Sequence, residues 1–253
     1  MTWRSPGAAS VTPLIAVAHG SRDPRAAATV EDLLDLVRSA RPELLVRTAY
    51  LDHATPTLPA ALSGLTEAVV LPLLLTEAYH SRVDIPGALA EATARRPLLR
   101  VHPGATLGPH PLLVTALERR LAEAGVQPGE PGTAVVLVSA GSSDPRANAT
   151  VAQVAGDWAT RRGWRSVSAA YASAAGPTPE EVVLRLRRSG AARVVIAPYL
   201  LAPGHFADKI RRETLAAGAD VVADVLGAAP ELAAVLLERY DRAAHRQQVL
   251  ATA

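Results

Sequence analysis

The sequence contains no cysteine, a single phenylalanine and a single lysine among its 253 residues. Without thiols it can form no disulfide, no thiolate zinc site and no cysteine-ligated iron–sulfur cluster. Any metal must therefore be held by histidine, carboxylate or another oxygen ligand. The absence of cysteine also suits a reducing cytoplasm, where we expect the protein to reside.

Long apolar runs and a strong net charge are also missing. The apolar stretches are far shorter than the roughly 20 residues that a transmembrane helix needs. Residues 1–10 contain no apolar segment of the kind found in secretory signals. The formal net charge is only +2, so we expect neither a membrane nor a nucleic acid as a partner. Apolar residues make up 49% of the chain, which indicates a globular protein.

Short apolar segments alternate with helical patterns along the chain. Leu14–Ala18 predicts a buried strand that ends at His19-Gly20, and Asp23-Pro24 is typical of a helix start. Further strands are predicted at Leu45–Leu51, Ala68–Leu75 and Leu98–His102, with helices between them, one of them running from Thr57 to about Leu65. Continuously apolar strands are typical of parallel sheets covered by helices on both faces. The fold class is therefore α/β, and ligands are expected at the carboxyl ends of the strands.

The same landmarks occur twice in the same order, which indicates an internal duplication. Asp23-Pro24-Arg25 recurs as Asp144-Pro145-Arg146, and Tyr50 recurs as Tyr171 at the same shift. A segment rich in glycine and proline, residues 125–132, separates the two copies. We expect an active domain at 11–125 and a degenerate domain at 133–243, facing each other across a cleft. Because the fused halves close this cleft themselves, we expect a monomer with pseudo-twofold halves.

Two histidines follow predicted strands of the first copy and are expected at one edge of its sheet. These are His19 and His80. Two neutral imidazoles without thiols suit Fe²⁺, Co²⁺, Ni²⁺ or Zn²⁺, although a histidine at a strand end is also common as a hydrogen-bonded structural residue. In the second copy His205 matches His80, but Ala140 replaces His19. The second half should therefore supply a cleft wall rather than catalysis.

Other polar residues near this edge leave several interpretations open. The Gly20-Ser21-Arg22 turn lacks the glycine pattern and the GK[ST] ending of nucleotide-binding loops. Ser21 could suggest a hydrolase, but no GxSxG motif is present and serine at a helix start is typically a cap. Asp52 is either a polar loop residue or a carboxylate that contacts the ligand or assists proton removal. His102 and His110 are further candidates for the same edge, whereas His53 and His245 are expected to be solvated.

These motifs resemble the sirohydrochlorin chelatases of the CbiX/SirB type, class II chelatases that insert a divalent metal into a tetrapyrrole. The resemblance rests on residues 19–25, 50–52 and 80–86, and it extends over about residues 12 to 240, including the duplicated layout of the long form. It implies two similar Rossmann-like, chelatase-type domains with parallel sheets facing across a cleft.

The resemblance also implies roles for individual residues. His19 and His80 would bind the metal and act in catalysis, with His19 also accepting a proton. Asp52 falls where the family usually has Glu, at a position that contacts the substrate. The loop that wraps the macrocycle falls on Leu75, Thr76, Glu77, Ala78 and Tyr79. Arg22 and Arg82, with Arg25 as a further candidate, are expected to position the carboxylates of sirohydrochlorin.

The function expected from these observations is a lyase-class metal chelatase. The divalent metal, Fe²⁺ or Co²⁺, is a substrate, and no organic cofactor or iron–sulfur cluster is expected. We expect Fe²⁺ insertion in sirohaem biosynthesis. Co²⁺ insertion for cobalamin and a non-catalytic tetrapyrrole or metal carrier remain alternatives, whereas a periplasmic binding protein is disfavoured because no signal sequence is seen.

Overall fold

The computed structural model describes residues 11–77 and 84–251 of the chain, with side chains described up to residue 246. In chain order, its strands and helices are β1 (Leu14–Ala18), α1 (Pro24–Ala40), β2 (Val46–Tyr50), α2 (Leu58–Ala61), β3 (Glu67–Pro72), α3 (Ile85–Ala94), β4 (Arg100–Pro103), α4 (Pro111–Glu123), β5 (Thr133–Ser139), α5 (Pro145–Arg161), β6 (Ser166–Tyr171), α6 (Pro179–Arg188), β7 (Arg193–Pro198), α7 (His205–Ala216), β8 (Val221–Val222) and α8 (Pro230–Ala251). The predicted α/β class is confirmed.

The two halves contain equivalent parallel sheets. The strand order is β2-β1-β3-β4 in the first sheet and β6-β5-β7-β8 in the second. All paired strands run parallel, and β1 and β5 are buried along their whole length. Burial on both faces explains why their sequences are continuously apolar. In this strand order, the chain leaves β1 and β3 in different directions, which opens a crevice at their carboxyl ends.

Strands β2 and β4 differ from their predicted bounds by only one or two residues at each end, whereas β3 and α2 are clearly shorter than the sequence predicts. Strand β3 ends at Pro72 rather than Leu75, because after Leu73 the chain leaves β1 and Leu74 O accepts a hydrogen bond from Leu107 N at 2.9 Å instead. Helix α2 spans only Leu58–Ala61 instead of continuing to about Leu65. Gly64 adopts a φ of +76°, which is incompatible with continuing a right-handed helix.

The helices that end the two halves pack against the opposite sheets. Helix α4 contacts β7, whereas α8 contacts β3, β4 and α1. A single buried cluster therefore lies between the two sheets and draws on both halves, and it includes Leu33, Leu34, Leu113, Leu117, Val151, Trp158, Leu232 and Leu236. Two smaller clusters lie on the outer faces, one under α2 and α3 and one under α6 and α7. The halves share their main hydrophobic core.

Polar contacts also join the halves. The buried Glu118 carboxylate on α4 accepts a hydrogen bond from Trp158 Nε1 at 3.0 Å and two from the Arg162 guanidinium at 2.7 Å. Near the middle of α8, Tyr240 donates a hydrogen bond to Thr12 O, just before β1, at 2.7 Å. Such bonds fix how the packed segments sit against each other, because a buried polar group without a partner is costly. Within residues 11–77 and 84–251, no helix is both long enough and apolar enough to cross a membrane.

Candidate active site

The turn after β1 contacts the turn after β2, and a glycine is required where they meet. Gly20 has a φ of +93°, and a Cβ atom at this position would lie 1.7 Å from the Asp52 carbonyl oxygen. Asp52 N donates to His19 O at 2.9 Å across the same contact. The second half repeats this geometry, with Gly141 at a φ of +85° and a virtual Cβ 1.9 Å from Ser173 O. The His-Gly pair thus places an imidazole at the carboxyl end of β1.

The imidazole of His19 is exposed at this edge. Its Nδ1 atom lies 3.3 Å from Gly20 O. A carbonyl oxygen only accepts hydrogen bonds, so this contact favours the tautomer with the proton on Nδ1. In the neutral ring, the lone pair is then on Nε2, where it can bind a metal or accept a proton.

Ser21 and Asp23 build the start of α1. Ser21 Oγ accepts from Asp23 N at 3.0 Å, and Asp23 Oδ1 accepts from Arg25 N at 2.9 Å. Ser142 and Asp144 make the equivalent bonds at the start of α5. The N-cap of α1 is Asp23 rather than Ser21. The Ser21 hydroxyl supports this cap by accepting from its N–H, as Ser142 does in the second copy, and this structural role disfavours a hydrolase nucleophile.

A cleft of about 1150 Å³ lies between the halves at the carboxyl ends of their strands. The prediction that the two sheets face each other across a cleft is confirmed. From the first half the lining residues include Ala18, His19, Gly20, Ser21, Arg22, Asp23, Tyr50, His53, Leu73, Leu74, Leu75 and Thr76. From the second half they include Ser139, Ala140, Gly141, Ser142, Ser143, Asn148, Ser173, Ala174, Tyr199 and the stretch 200–208.

The structure brings together part of the predicted site. His19, Arg22, Leu75 and Thr76 line the cleft, and Glu77 follows them as an exposed residue. His80 lies outside the described residues, as do Ala78, Tyr79 and Arg82. In the part of the chain that is described, no three or more histidines and carboxylates are grouped so as to hold a metal ion. A metal site that consists of His19 and His80 therefore stays a prediction.

Asp52 and His53 form a pair at the end of β2. The Asp52 carboxylate accepts from His53 N at 2.7 Å and lies 3.3 Å from His53 Nε2. His53, rather than Asp52, reaches the cleft. We expected His53 to be solvated and did not predict this contact. The available signal was the Asp-His dipeptide directly after a strand, but its left-handed backbone, with a φ of +60°, was not apparent from the sequence.

The remaining histidines have different surroundings. His205 lines the cleft at the start of α7. His102 lies on β4 and its Nε2 is 2.9 Å from Glu67 Oε1. His110 caps α4 through its Nδ1, and its Nε2 is 3.2 Å from Glu238 Oε2 on α8. Neither His102 nor His110 is part of the cleft lining.

Arg25 connects the two walls of the cleft. Its guanidinium lies 2.6 Å from an oxygen of Asp23 on its own half and 2.6 Å from Asp208 on α7 of the other half. These hydrogen bonds raise the pKa of Arg25, and the guanidinium holds the pKa of both carboxyl groups below their usual value. Arg25 is thus already paired with protein carboxylates, whereas Arg22 lines the cleft.

Tyr199, in the second half, contacts the first-half loop that follows β3. The buried ring follows β7, and its hydroxyl donates to Leu75 O at 3.2 Å. Burial raises the pKa of Tyr199, so the hydroxyl stays protonated as a donor. Gly108 permits this contact, because a Cβ there would lie 2.1 Å from Leu75 O and 2.6 Å from the Tyr199 hydroxyl oxygen.

Comparison with known families identifies this arrangement. The model of the CbiX family matches residues 13–124 and again residues 134–243. The chain belongs to the CbiX family. The two matches coincide with the two parallel sheets, and the resemblance inferred from the histidine motifs is confirmed.

Relatives of this CbiX-family chain are named as chelatases. It is 30% identical over 195 residues to a sirohydrochlorin cobaltochelatase of Priestia megaterium, an alignment that covers 74% of this chain but only 63% of that relative, less than two thirds of its length. It is 29% identical over 205 residues to a sirohydrochlorin ferrochelatase of Bacillus subtilis (strain 168), covering 79% of this chain and 78% of the relative. Among solved structures, SirB from Bacillus subtilis with Fe3+ superimposes with a TM-score of 0.80 and 26% identity, over 94% of this chain and 97% of SirB.

The second CbiX repeat keeps the fold but differs from the first at two polar positions of the site. Ala140 and Ser173 stand where the first half has His19 and Asp52, at the same ends of the equivalent strands. The glycine contact, the hydrogen bond from the serine to the cap residue and the strand order are all retained. The chemistry that the first half can perform with an imidazole at this position is therefore not available in the second.

Proposed function

We propose that this CbiX-family protein is a sirohydrochlorin chelatase that inserts a divalent metal, Fe²⁺ in the first instance, into sirohydrochlorin during sirohaem biosynthesis. The observation that carries the proposal is the exposed His19 imidazole at the carboxyl end of β1, within a cleft of about 1150 Å³. Pockets for drug-sized ligands occupy about 300–1,000 Å³, so the cleft has the size for a larger ligand such as a tetrapyrrole. We expect the protein to act in the cytoplasm as a monomer.

Metal insertion requires delivery of a divalent ion to the pyrrole nitrogens and removal of the N–H protons. We assign the delivery to His19 and His80, whose imidazoles suit borderline divalent metals. Nε2 of His19 is the proposed proton acceptor, because the lone pair of a neutral imidazole can take up a proton. The charge of the arriving ion lowers the pKa of the nitrogens that it contacts, which favours release of their protons.

The carboxylates of sirohydrochlorin need cationic and hydrogen-bonding partners at the rim. Arg22 lines the cleft, and its guanidinium is the proposed anchor on the described part of the first wall. The proposed substrate-binding set also contains Asp52, Leu75, Thr76, Glu77, Ala78, Tyr79 and Arg82. Because the Asp52 carboxylate contacts His53, the pair is expected to reach the substrate through His53.

Co²⁺ is the second candidate metal. Relatives of nearly equal identity to this chain are named as a cobaltochelatase, at 30%, and as a ferrochelatase, at 29%. Imidazole ligands accept both ions, and affinity alone does not separate them in cells. A carrier that binds tetrapyrrole or metal without turnover is the alternative outside catalysis.

A direct assay tests the proposal. The purified protein is mixed anaerobically with sirohydrochlorin and Fe²⁺, Co²⁺ or Ni²⁺, and the change in absorption of the macrocycle is followed against a control without protein. We expect acceleration with Fe²⁺, and the ratio of the Fe²⁺ and Co²⁺ rates gives the metal preference. Binding of sirohydrochlorin without acceleration by any metal would identify a carrier instead.

Tyr199→Phe should slow metal insertion while lowering the stability of the fold only slightly. It removes only the hydroxyl that holds Leu75, so the free energy of unfolding should fall by about 1 kcal/mol. We expect metal insertion to slow by roughly tenfold, because a small displacement of a positioning group has large effects on rate. Urea unfolding and the insertion assay provide the two measurements.

Tyr240→Phe is the matched control for Tyr199→Phe. Its hydroxyl also donates to a backbone carbonyl, that of Thr12 at 2.7 Å, and Tyr240 does not line the cleft. The control should lose similar stability with little change in turnover. If the two variants show the same turnover, Tyr199 has no positioning role.

A further inference from the structure

The start of α7 and the loop before it form an apolar wall of the cleft. Leu200, Leu201, Ala202, Pro203 and Phe206 lie along it. On the opposite wall, the turn after β1 presents the polar side chains of His19, Ser21 and Arg22. The apolar stretch before and at the start of α7 comes entirely from the half that lacks the histidine after its first strand.

This wall is held in place across the cleft from the turn that carries His19. A Cβ added to Gly204 would lie 3.9 Å from Asp23 Cβ and 4.0 Å from Ser21 Oγ. Four residues later in the chain, Asp208 pairs with Arg25 at 2.6 Å. Phe206 lies between Gly204 and Asp208 in the chain, so the first turn of α7 lies close to the first half on both sides of this residue, and the Asp208–Arg25 ion pair holds it there.

Phe206 is an aromatic residue whose side chain is exposed at the cleft. It is the single phenylalanine of the chain, and it is 39% exposed at the cleft instead of being buried in the core. Its ring centroid lies 5.9 Å from that of His205, with the planes at 62°. An exposed aromatic side chain in a cleft gains free energy when a flat apolar surface covers it.

We propose that Phe206 binds one face of the tetrapyrrole macrocycle, with the metal arriving at the other face from His19. This inference rests on the proposed chelatase function. A tetrapyrrole with carboxylate side chains has an apolar, aromatic face and an anionic edge. The apolar wall matches the face, and Arg22 on the opposite wall matches the edge. The second half then contributes substrate affinity, which requires no imidazole at Ala140.

Phe206→Ala tests the assignment through binding of metal-free sirohydrochlorin, followed by absorption or fluorescence titration. We expect the dissociation constant to rise by about tenfold, the size of effect typical of losing one aromatic contact. KM for sirohydrochlorin should rise by a similar factor while kcat changes much less, because the ring contacts the macrocycle in both ground and transition states. Phe206→Leu should lie between the wild type and Phe206→Ala.

Leu215→Ala is the matched control. Leu215 lies on the same helix, is 44% exposed and, at nine positions from Phe206, falls on the opposite helix face. It should leave the dissociation constant and KM unchanged. Equal dissociation constants for Phe206→Ala and Leu215→Ala would overturn the inference, whatever the rate of metal insertion. A wild type that binds sirohydrochlorin and inserts no metal would overturn the proposed function alone, and weaker binding by Phe206→Ala would still support the contact.

Discussion

Replacing His19 with alanine should reduce the rate of metal insertion by about 100-fold or more, because a positioned general base contributes a factor of about 10²–10⁴. The same substitution removes a proposed metal ligand. Binding of metal-free sirohydrochlorin should remain within a few-fold of the wild type, since Arg22 and the apolar wall with Phe206 are untouched. The measurements are the insertion assay and the tetrapyrrole titration.

Two controls separate this chemical role from a structural one. His245→Ala removes an exposed imidazole on α8, outside the cleft lining, and should insert metal at the wild-type rate. Added imidazole should restore part of the activity of His19→Ala, because a small base can enter the space that the side chain vacates. Unchanged turnover in His19→Ala would exclude His19 as the proton acceptor.

Gly20→Ala should lower the free energy of unfolding by about 3 kcal/mol, at the upper end of the usual range for single substitutions. The new Cβ would lie 1.7 Å from Asp52 O, and the backbone has a φ of +93°. The turns after β1 and β2 must then separate, which breaks the bond from Asp52 N to His19 O. Metal insertion should be lost as well, because His19 moves with the turn.

Two glycines serve as controls for Gly20→Ala in urea unfolding. Gly64 has a φ of +76° but no atom within 4 Å of a virtual Cβ, so Gly64→Ala reports the backbone strain alone, about 1 kcal/mol. Gly141→Ala introduces the same clash in the second half, 1.9 Å from Ser173 O, and should cost as much stability as Gly20→Ala with a smaller loss of insertion rate. If Gly20→Ala is no more destabilising than Gly64→Ala, the proposed contact between the turns is wrong.

The sequence predicts the structure best where the local pattern of apolar residues directly reflects burial. Strand β1 has the predicted bounds, Leu14–Ala18, because a parallel strand buried on both faces is continuously apolar. The glycine after it identified a turn, and the position of His19 at the edge of the sheet follows from these two facts. The duplication is visible in the sequence because both copies need the same aspartate cap and the same glycine contact.

Contacts between distant segments were not predictable in this way. Asp208, the partner of Arg25, lies in the other half, and nothing in the helical pattern around residue 25 indicates it. Helices α4 and α8 each pack on the sheet of the other half. Which sheet a helix packs on depends on how the buried side chains fit together, and the periodicity of the sequence does not show this. His53 is exposed, as predicted, but its place in the cleft lining was not predictable, because a dipeptide does not reveal whether its backbone is left-handed.

The shared core also has a consequence for ligand selection. Two-lobed proteins that close on a ligand do so about an interface that separates at little cost. Parting these two halves would expose the cluster containing Leu117, Trp158 and Leu232 to water. Widening the cleft by parting the halves would therefore lose the burial of this cluster, and a ligand has to fit the space that the cleft already provides. The thickness of a molecule, in addition to its charge, then decides whether it is admitted.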